Sequence, residues 1–346
     1  MTILKSVFTY FFERIFHHAS WQGYWEPLVQ VFSTAWRHGF HRGKVISNSA
    51  ILPGVIRLVI KPDNRWKGFV PGQHVVLTIE HNGRLLSRTF TIASGIQQWE
   101  KQGIITLIIK QYEQGAFTPL LSDLKADDWL NLSQAFGEFT LPETTKPIVM
   151  VAGGSGITPF LSILDTDFSQ QVHLIYYAKS GEHLGVNQLA TLMQQRPNFS
   201  VDIVTRGPQT NLSEQLSKHD AEVVMVCGPS SMYIEAQAWC QKHKRHISAE
   251  HFSVLTASFK GESTNHSVSW NNKQFVLNSQ ETLLSQLTAK GESVTYGCGM
   301  GICHQCQCVK KSGVVRDIRS GNLSSNTQQL IQLCVSQVVS DLELEV

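Results

Sequence analysis

The spacing of apolar side chains changes several times along this chain, and each change marks a new kind of structure. Phe8, Phe11, Phe12, Ile15 and Phe16 recur at three- and four-residue intervals. Leu28, Val31, Phe32, Ala35 and Trp36 repeat the pattern, with Pro27 suited to a first helical turn. The spacing predicts two amphipathic helices in an aromatic-rich extension over residues 1–40. From 41 to 142 the period falls to two. "KVISNSAILPGVIRLVIKP", "QHVVLTIEHNGRLL", "RTFTIAS" and "GIITLIIKQYE" are β-branched runs cut by Pro, Gly and Asn, and "HNG" is a hairpin turn. About six such strands predict a small antiparallel barrel.

From 143 to 252, "PIVMVA", "VHLIYYA", "SVDIVT" and "EVVMVC" alternate with helical stretches, the pattern of a parallel α/β sheet covered on both faces. Residues 253–265 are polar and read as a linker. Residues 266–346 begin with a hairpin, "HSVSW" and "QFVLN". A helix over "ETLLSQLTAKG" follows, expected to start at Ser279 and stop at Gly291, and then a cysteine-rich loop.

Composition narrows the class. With 346 residues, 42% apolar and 16% charged, the chain is long enough for several globular domains. A net charge of +2 makes no case for nucleic acid as a partner. No apolar run reaches the roughly 18 residues of a membrane span, and the N-terminus lacks the signature of a signal peptide. The expected location is therefore the reducing cytoplasm, where clustered cysteines point to metal or redox chemistry rather than disulfides.

Four of the seven cysteines fall within "YGCGMGICHQCQC". Cys298, Cys303 and Cys306 are spaced C-x4-C-x2-C, with Cys334 a distant fourth, which is the plant-type [2Fe–2S] spacing. Gly297, Gly299 and Gly301 suit a loop that must turn tightly and aim backbone N–H groups at sulfur. A zinc site on Cys298, Cys303, Cys306 and Cys308 or His304, in a regulatory or interaction protein, is the remote alternative, and redox thiols are a third. Cys308 alternates with Cys306 along a strand and reads as a core thiol. The segment from the loop to "LELEV" resembles a plant-type ferredoxin domain, which implies a β-grasp fold of the α+β class.

Upstream, "LSRTFTIAS" resembles the R-x-[YF]-[ST] strand of the ferredoxin–NADP reductase superfamily. The resemblance implies that Arg88 meets flavin phosphate, Phe90 covers the ring and Thr91 bonds flavin N5. An arginine fork is chemically suited to phosphate. In "YEQGAFTPLL", Gly115 and Thr118 match the superfamily's G-x-x-[ST], placed where a helix start could receive phosphates. "VMVAGGSGITP" matches its nicotinamide-nucleotide loop, with Gly153, Gly154, Gly156 and Thr158 cradling pyrophosphate.

Beyond the second strand of the α/β domain come Lys179 and Ser180, and Arg206 ends the next strand. Where a site for NAD ribose typically puts Asp or Glu, this sequence offers these residues instead, and cations with a hydroxyl suit a 2′-phosphate, so NADPH is expected, with NADH the alternative. "CGP" at Cys227, Gly228 and Pro229 resembles the motif that places a cysteine beside the nicotinamide. Glu250 in "AEHF" resembles the acidic residue near the flavin ring.

The resemblance covers residues 41–346 in the order flavin barrel, nucleotide domain, ferredoxin. It implies FAD, with FMN the alternative, and a [2Fe–2S] cluster that passes single electrons to an oxygen-activating partner. The aromatic extension resembles that of reductases serving bacterial membrane fatty-acid desaturases. This implies docking of residues 1–40 on the inner face of the membrane or on the partner, and the alternative expectation is that they pack against the protein's own flavin barrel. A soluble mono- or dioxygenase is the alternative partner.

Overall fold

The computed structural model describes residues 41–81, 84–111, 117–207, 211–250, 263–271, 273–292, 306–318 and 321–345, with Val294, Tyr296, Gly301 and four positions of the N-terminal extension. Those four, Leu28, Val29, Val31 and Phe32, are helical. Phe32 is 93% exposed and Val31 74%. The first expected helix lies outside the described residues. The chain falls into two compact units. One comprises residues 1–86, 90–140 and 161–166, and the other 87–89, 141–160 and 167–346.

The first unit is built on a sheet of β1 (His41–Leu52), β2 (Val55–Pro62), β3 (His74–His81), β4 (Arg84–Thr91), β5 (Ile105–Lys110) and β6 (Trp129–Leu132), in the order β4-β3-β6-β1-β2-β5. The sheet closes on itself. Ile92, just past β4, bridges Leu107 of β5, and Ala93 N–H donates to the Thr106 carbonyl at 2.8 Å. Closure removes the exposed edges that an open antiparallel sheet would present. Inward-facing Val45, Leu58, Ile60, Leu77, Ile105 and Leu107 fill the barrel and are fully buried, which is the alternation read from the sequence.

Two short helices, α1 (Ile96–Gln102) and α2 (Thr118–Ser122), lie between strands. The apolar period does not predict helix α1, because "IQQWEKQ" holds only Ile96 and Trp99 as apolar contacts. Trp99 packs edge-on against Trp66, with ring centroids 4.7 Å apart. Gly103 stops the helix in the left-handed conformation at φ 66°.

A buried carboxylate secures the start of β1. Asp63 accepts from the Arg42 backbone N–H at 2.7 Å, the Arg65 N–H at 2.9 Å and the Arg65 guanidinium at 2.9 Å. Burial pulls its pKa upward, but the hydrogen bonds from Arg65 and Arg42 outweigh that and bring it to about 2.

The second unit contains a parallel sheet of β7 (Ile148–Gly153), β8 (Val172–Ala178), β9 (Phe199–Thr205), β10 (Val223–Cys227) and β11 (His246–Glu250), ordered β11-β10-β7-β8-β9. Helices α3 (Thr158–Leu164), α4 (Val186–Gln195), α5 (Leu212–Leu216) and α6 (Ser230–His243) connect these strands. Every residue of β7 is buried, as a central strand covered on both faces requires.

The same unit holds β12 (Asn265–Trp270), β13 (Lys273–Asn278), α7 (Leu283–Ala289), β14 (Gln307–Ser312), β15 (Val315–Asp317), β16 (Gln329–Gln332), β17 (Ser336–Val338) and β18 (Leu342–Glu345). The larger sheet runs β13-β12-β18-β14-β16, and β15 pairs with β17. Strands β12 and β18 are parallel while the other pairs are antiparallel. This is the mixed sheet of the β-grasp class.

The cap of α7 corrects the sequence reading. Thr282, not Ser279, caps the helix by accepting from the Ser285 N–H. Ser279 instead hydrogen-bonds back to Thr264 at the start of the hairpin. Gly291 does follow the helix end, at φ 83°. Lys310 is fully buried, with its ammonium donating to the carbonyls of Gly313, Ser325 and Thr327 at 2.7–2.9 Å. Three charge-assisted bonds offset the cost of burying that charge.

Candidate functional site

The strand order of the parallel sheet reverses between β7 and β10, and ligands of open α/β sheets bind at such a point, beyond the carboxyl ends of the strands. Both loops there are built for close approach. Gly153 ends β7, Gly154 turns the chain at φ 59°, and a 3-10 turn over Gly154–Ile157 leads into α3. A methyl group on Gly156 would run into the Cys227 carbonyl, and one on Gly153 would lie 2.7 Å from Pro229 Cδ and 3.3 Å from Gly228 Cα. Thr158 donates its hydroxyl to the Ser155 carbonyl at 3.0 Å, tightening the turn. The structure thus brings Gly153, Gly154, Gly156, Thr158, Gly228 and Pro229 to one crevice. The near contact of two backbones leaves a cradle that any Cβ would fill, which fits a dinucleotide pyrophosphate.

Lys179 and Ser180 follow β8 and Arg206 follows β9, all three exposed on the same carboxyl rim. The Arg206 N–H donates to the Ala178 carbonyl at 2.8 Å, tying the two strand ends together.

Cys227 and Glu250 end neighbouring strands and pair in register. Both are buried. Burial first, and the Glu250 charge second, push the Cys227 thiol well above its ordinary range. Both effects favour the neutral thiol over the thiolate.

On β4 the alternation sets Thr89 and Thr91 on one side and Arg88 and Phe90 on the other. Thr89 and Thr91 are buried, and neither hydroxyl has a hydrogen-bond partner. Buried hydroxyls left unmatched are places where a bound group can supply the missing hydrogen bonds, and the nitrogens and carbonyls of a flavin ring are chemically suited to do so. Sequence reasoning missed Thr89. Its two-residue spacing from Thr91 is the signal that could have found it.

Phe90 packs against the barrel core and stacks on Phe117, with centroids 5.9 Å apart at 29°. Arg88 is half-buried, donates to the Ser87 carbonyl at 2.8 Å and stands 5.9 Å from the Tyr296 ring. Thr118 is the buried first residue of α2. Gly115 lies outside the described residues.

Of the four expected cluster ligands, Cys306 and Cys334 are described, while Cys298 and Cys303 lie outside the described residues. Cys306 sits at the start of β14 and Cys334 in the turn between β16 and β17. Their Sγ atoms are 3.2 Å apart with no disulfide between them. Two thiolates on one tetrahedral metal with bonds of ~2.3 Å stand about 3.8 Å apart, so this pair needs only a small shift to share an ion. Gly301 N–H donates to Cys334 Sγ at 3.0 Å, the type of bond that steadies a metal-bound sulfur. Cys308 faces the core of the β-grasp sheet, and burial with Cys306 nearby pushes its pKa up to about 12.

Comparison with known proteins agrees with this architecture. The family model of the oxidoreductase FAD-binding domain matches residues 43–141, and that of the oxidoreductase NAD-binding domain matches residues 150–238. An NADPH oxidoreductase of Mycobacterium tuberculosis is 23% identical over 93% of this chain and 88% of its own length. The electron transfer component of toluate 1,2-dioxygenase from Pseudomonas putida is 28% identical over 49% of this chain and 55% of its own length. Among solved structures, phthalate dioxygenase reductase is described as a modular structure for electron transfer from pyridine nucleotides to [2Fe–2S]. It aligns over 89% of this chain and 98% of its own with a TM-score of 0.60, at 20% identity.

A flavin barrel joined to a nicotinamide-nucleotide sheet defines an NAD(P)H-dependent flavin oxidoreductase. The chain belongs to the ferredoxin–NADP reductase superfamily.

Proposed function

We propose that this protein is the reductase of an oxygen-activating system, drawing electrons from NADPH and releasing them singly through a [2Fe–2S] centre. The observation that carries the reading is the buried Cys306–Cys334 pair, 3.2 Å apart, in the same chain as the FAD-binding and NAD-binding domains. The domain division behind it is extension 1–40, flavin barrel 41–142, nucleotide domain 143–252, linker 253–265 and ferredoxin 266–346. Cys298 and Cys303 complete the ligand set with Cys306 and Cys334.

When bound, the flavin would supply hydride chemistry and the [2Fe–2S] cluster one-electron chemistry. The chain's own residues bind, orient and shield. The cradle of Gly153, Gly154 and Gly156 receives the pyrophosphate through backbone N–H groups, with Thr158 holding the turn. Lys179, Ser180 and Arg206 meet the 2′-phosphate and set the preference for NADPH over NADH. Thr91 hydrogen-bonds the flavin ring, with Phe90 beside it, and Arg88 with the Gly115–Thr118 segment meets the flavin phosphates of FAD, FMN being the alternative. Cys227 is assigned to the nicotinamide and Glu250 to the flavin ring, as the superfamily's motifs imply.

The relatives named for toluate and phthalate dioxygenases favour an oxygenase as electron acceptor. The exposed Val31 and Phe32 in the N-terminal extension favour a second reading, in which the acceptor is a membrane fatty-acid desaturase and residues 1–40 rest on the inner face of the membrane. Among the described residues no helix is long and apolar enough to cross a membrane. On either reading the enzyme works in the cytoplasm.

Steady-state reduction of cytochrome c with NADPH and NADH in parallel tests the proposal. The expected outcome is turnover by a protein carrying flavin and about two irons per chain, faster with NADPH. A colourless protein that is inactive with both nucleotides would overturn it.

A further inference from the structure

At the amino end of the parallel sheet, about 16 Å along β8 from the nucleotide crevice at ~3.3 Å per residue, three potential metal ligands converge. His173 is the second residue of β8, Asp202 lies on the neighbouring β9, and His219 follows α5. The side-chain ligand atoms of all three lie within 4.8 Å of one another. His173 Nε2 is 3.2 Å from Asp202 Oδ2, an ordinary separation for two ligands of one ion, and its Nδ1 is 2.7 Å from Ser200 Oγ. The His219 ring stacks on the His173 ring with centroids 3.7 Å apart and planes at 25°. His219 Nε2 is buried and has no hydrogen-bond partner.

We infer that His173, Asp202 and His219 form a binding site for a divalent transition-metal ion of the zinc type, separate from the redox centres. Two imidazoles and a carboxylate are a donor set suited to zinc, nickel or copper rather than to magnesium or calcium. Burial acts first on both histidines to lower their pKa, with His219 adding to the effect on His173 and the Asp202 charge opposing it, a net direction that favours the neutral rings that bind metal. Ser200 supplies the outer contact that a metal-bound imidazole commonly makes through its other nitrogen. Turned about their side-chain bonds, the stacked rings can aim one nitrogen each at an ion beside Asp202. That carboxylate is 48% exposed, so the ion has a path in from solvent. Three protein ligands leave a fourth position for water. The ion would tie β8, β9 and the segment after α5 together, at the end of the sheet away from the nucleotide loops.

The test is calorimetric titration of the full chain, loaded with flavin and iron, with zinc chloride, and with iron content measured before and after. One equivalent of zinc without loss of iron is expected for the wild type. Asp202→Asn and His219→Gln are expected to bind at least tenfold more weakly, and Ser200→Ala about tenfold more weakly. Electron transfer to cytochrome c should be unchanged in these variants when zinc is absent. Absence of zinc binding by the wild type, equal binding by both ligand variants, or zinc uptake only in step with iron loss would each overturn the inference. The last outcome would place the zinc in the cysteine loop.

Discussion

Single atoms decide how closely the loops of the nucleotide crevice can meet. Gly156 lies directly against the Cys227 carbonyl, and Gly153 against Pro229 and Gly228. A side chain at Gly156 collides with backbone, which cannot swing aside as a flexible side chain can. Gly156→Ala is therefore expected to force the two loops apart and raise the KM for NADPH at least tenfold while the flavin content stays at the wild-type level. Steady-state kinetics with flavin quantified by absorbance would check it, and an unchanged KM would remove Gly156 from the cradle. The same scale explains what sequence reading could not supply. Thr89 and Thr91 look like ordinary strand threonines until burial shows that neither hydroxyl has a partner. Ser279 and Thr282 are both plausible helix caps in the sequence, and only the hydrogen bond to Ser285 N–H separates them.

At the scale of elements, the barrel's first strand is anchored by Asp63, whose carboxylate gathers Arg42 and Arg65. Its folded pKa of about 2 lies below the ordinary value of 3.8. The stabilisation is therefore fully present above about pH 4 and is lost as pH falls toward 2. Asp63→Asn is expected to cost about 2 kcal/mol at pH 7. The gap from wild type should shrink as pH drops below 4. Urea unfolding at a series of pH values reads both quantities, and a gap that stays constant with pH would show that Asp63 contributes by shape rather than by charge. Helix α1 teaches the opposite lesson about legibility. It has too few apolar positions to show a helical period, and its place depends on Trp99 meeting Trp66 across the chain.

For the whole molecule, the proposed electron path runs from the nucleotide through the flavin to the cluster. If the cluster is the exit, removing one of its ligands should block large one-electron acceptors while sparing acceptors that react at the flavin. Cys334→Ser is expected to lower the iron content, abolish cytochrome c reduction and leave most ferricyanide reduction by NADPH intact. Equal loss of both activities, with flavin retained, would contradict that electron order.

Period and spacing alone determined the succession of barrel, α/β sheet and cysteine loop, because apolar alternation and glycine-rich turns are local properties of a chain. They also led to the expectation that Cys308 is a core thiol, and the structure places it in the core of the β-grasp sheet. Only the tertiary structure decided the closure of the barrel through Ile92 and Leu107, the meeting of the β7 and β10 loops at the strand-order reversal, and the approach of Cys334 to Cys306. It alone brought His173, Asp202 and His219 together from two strands and a helix end. These contacts join residues far apart in sequence, and their geometry follows from strand register and packing, which no local pattern encodes.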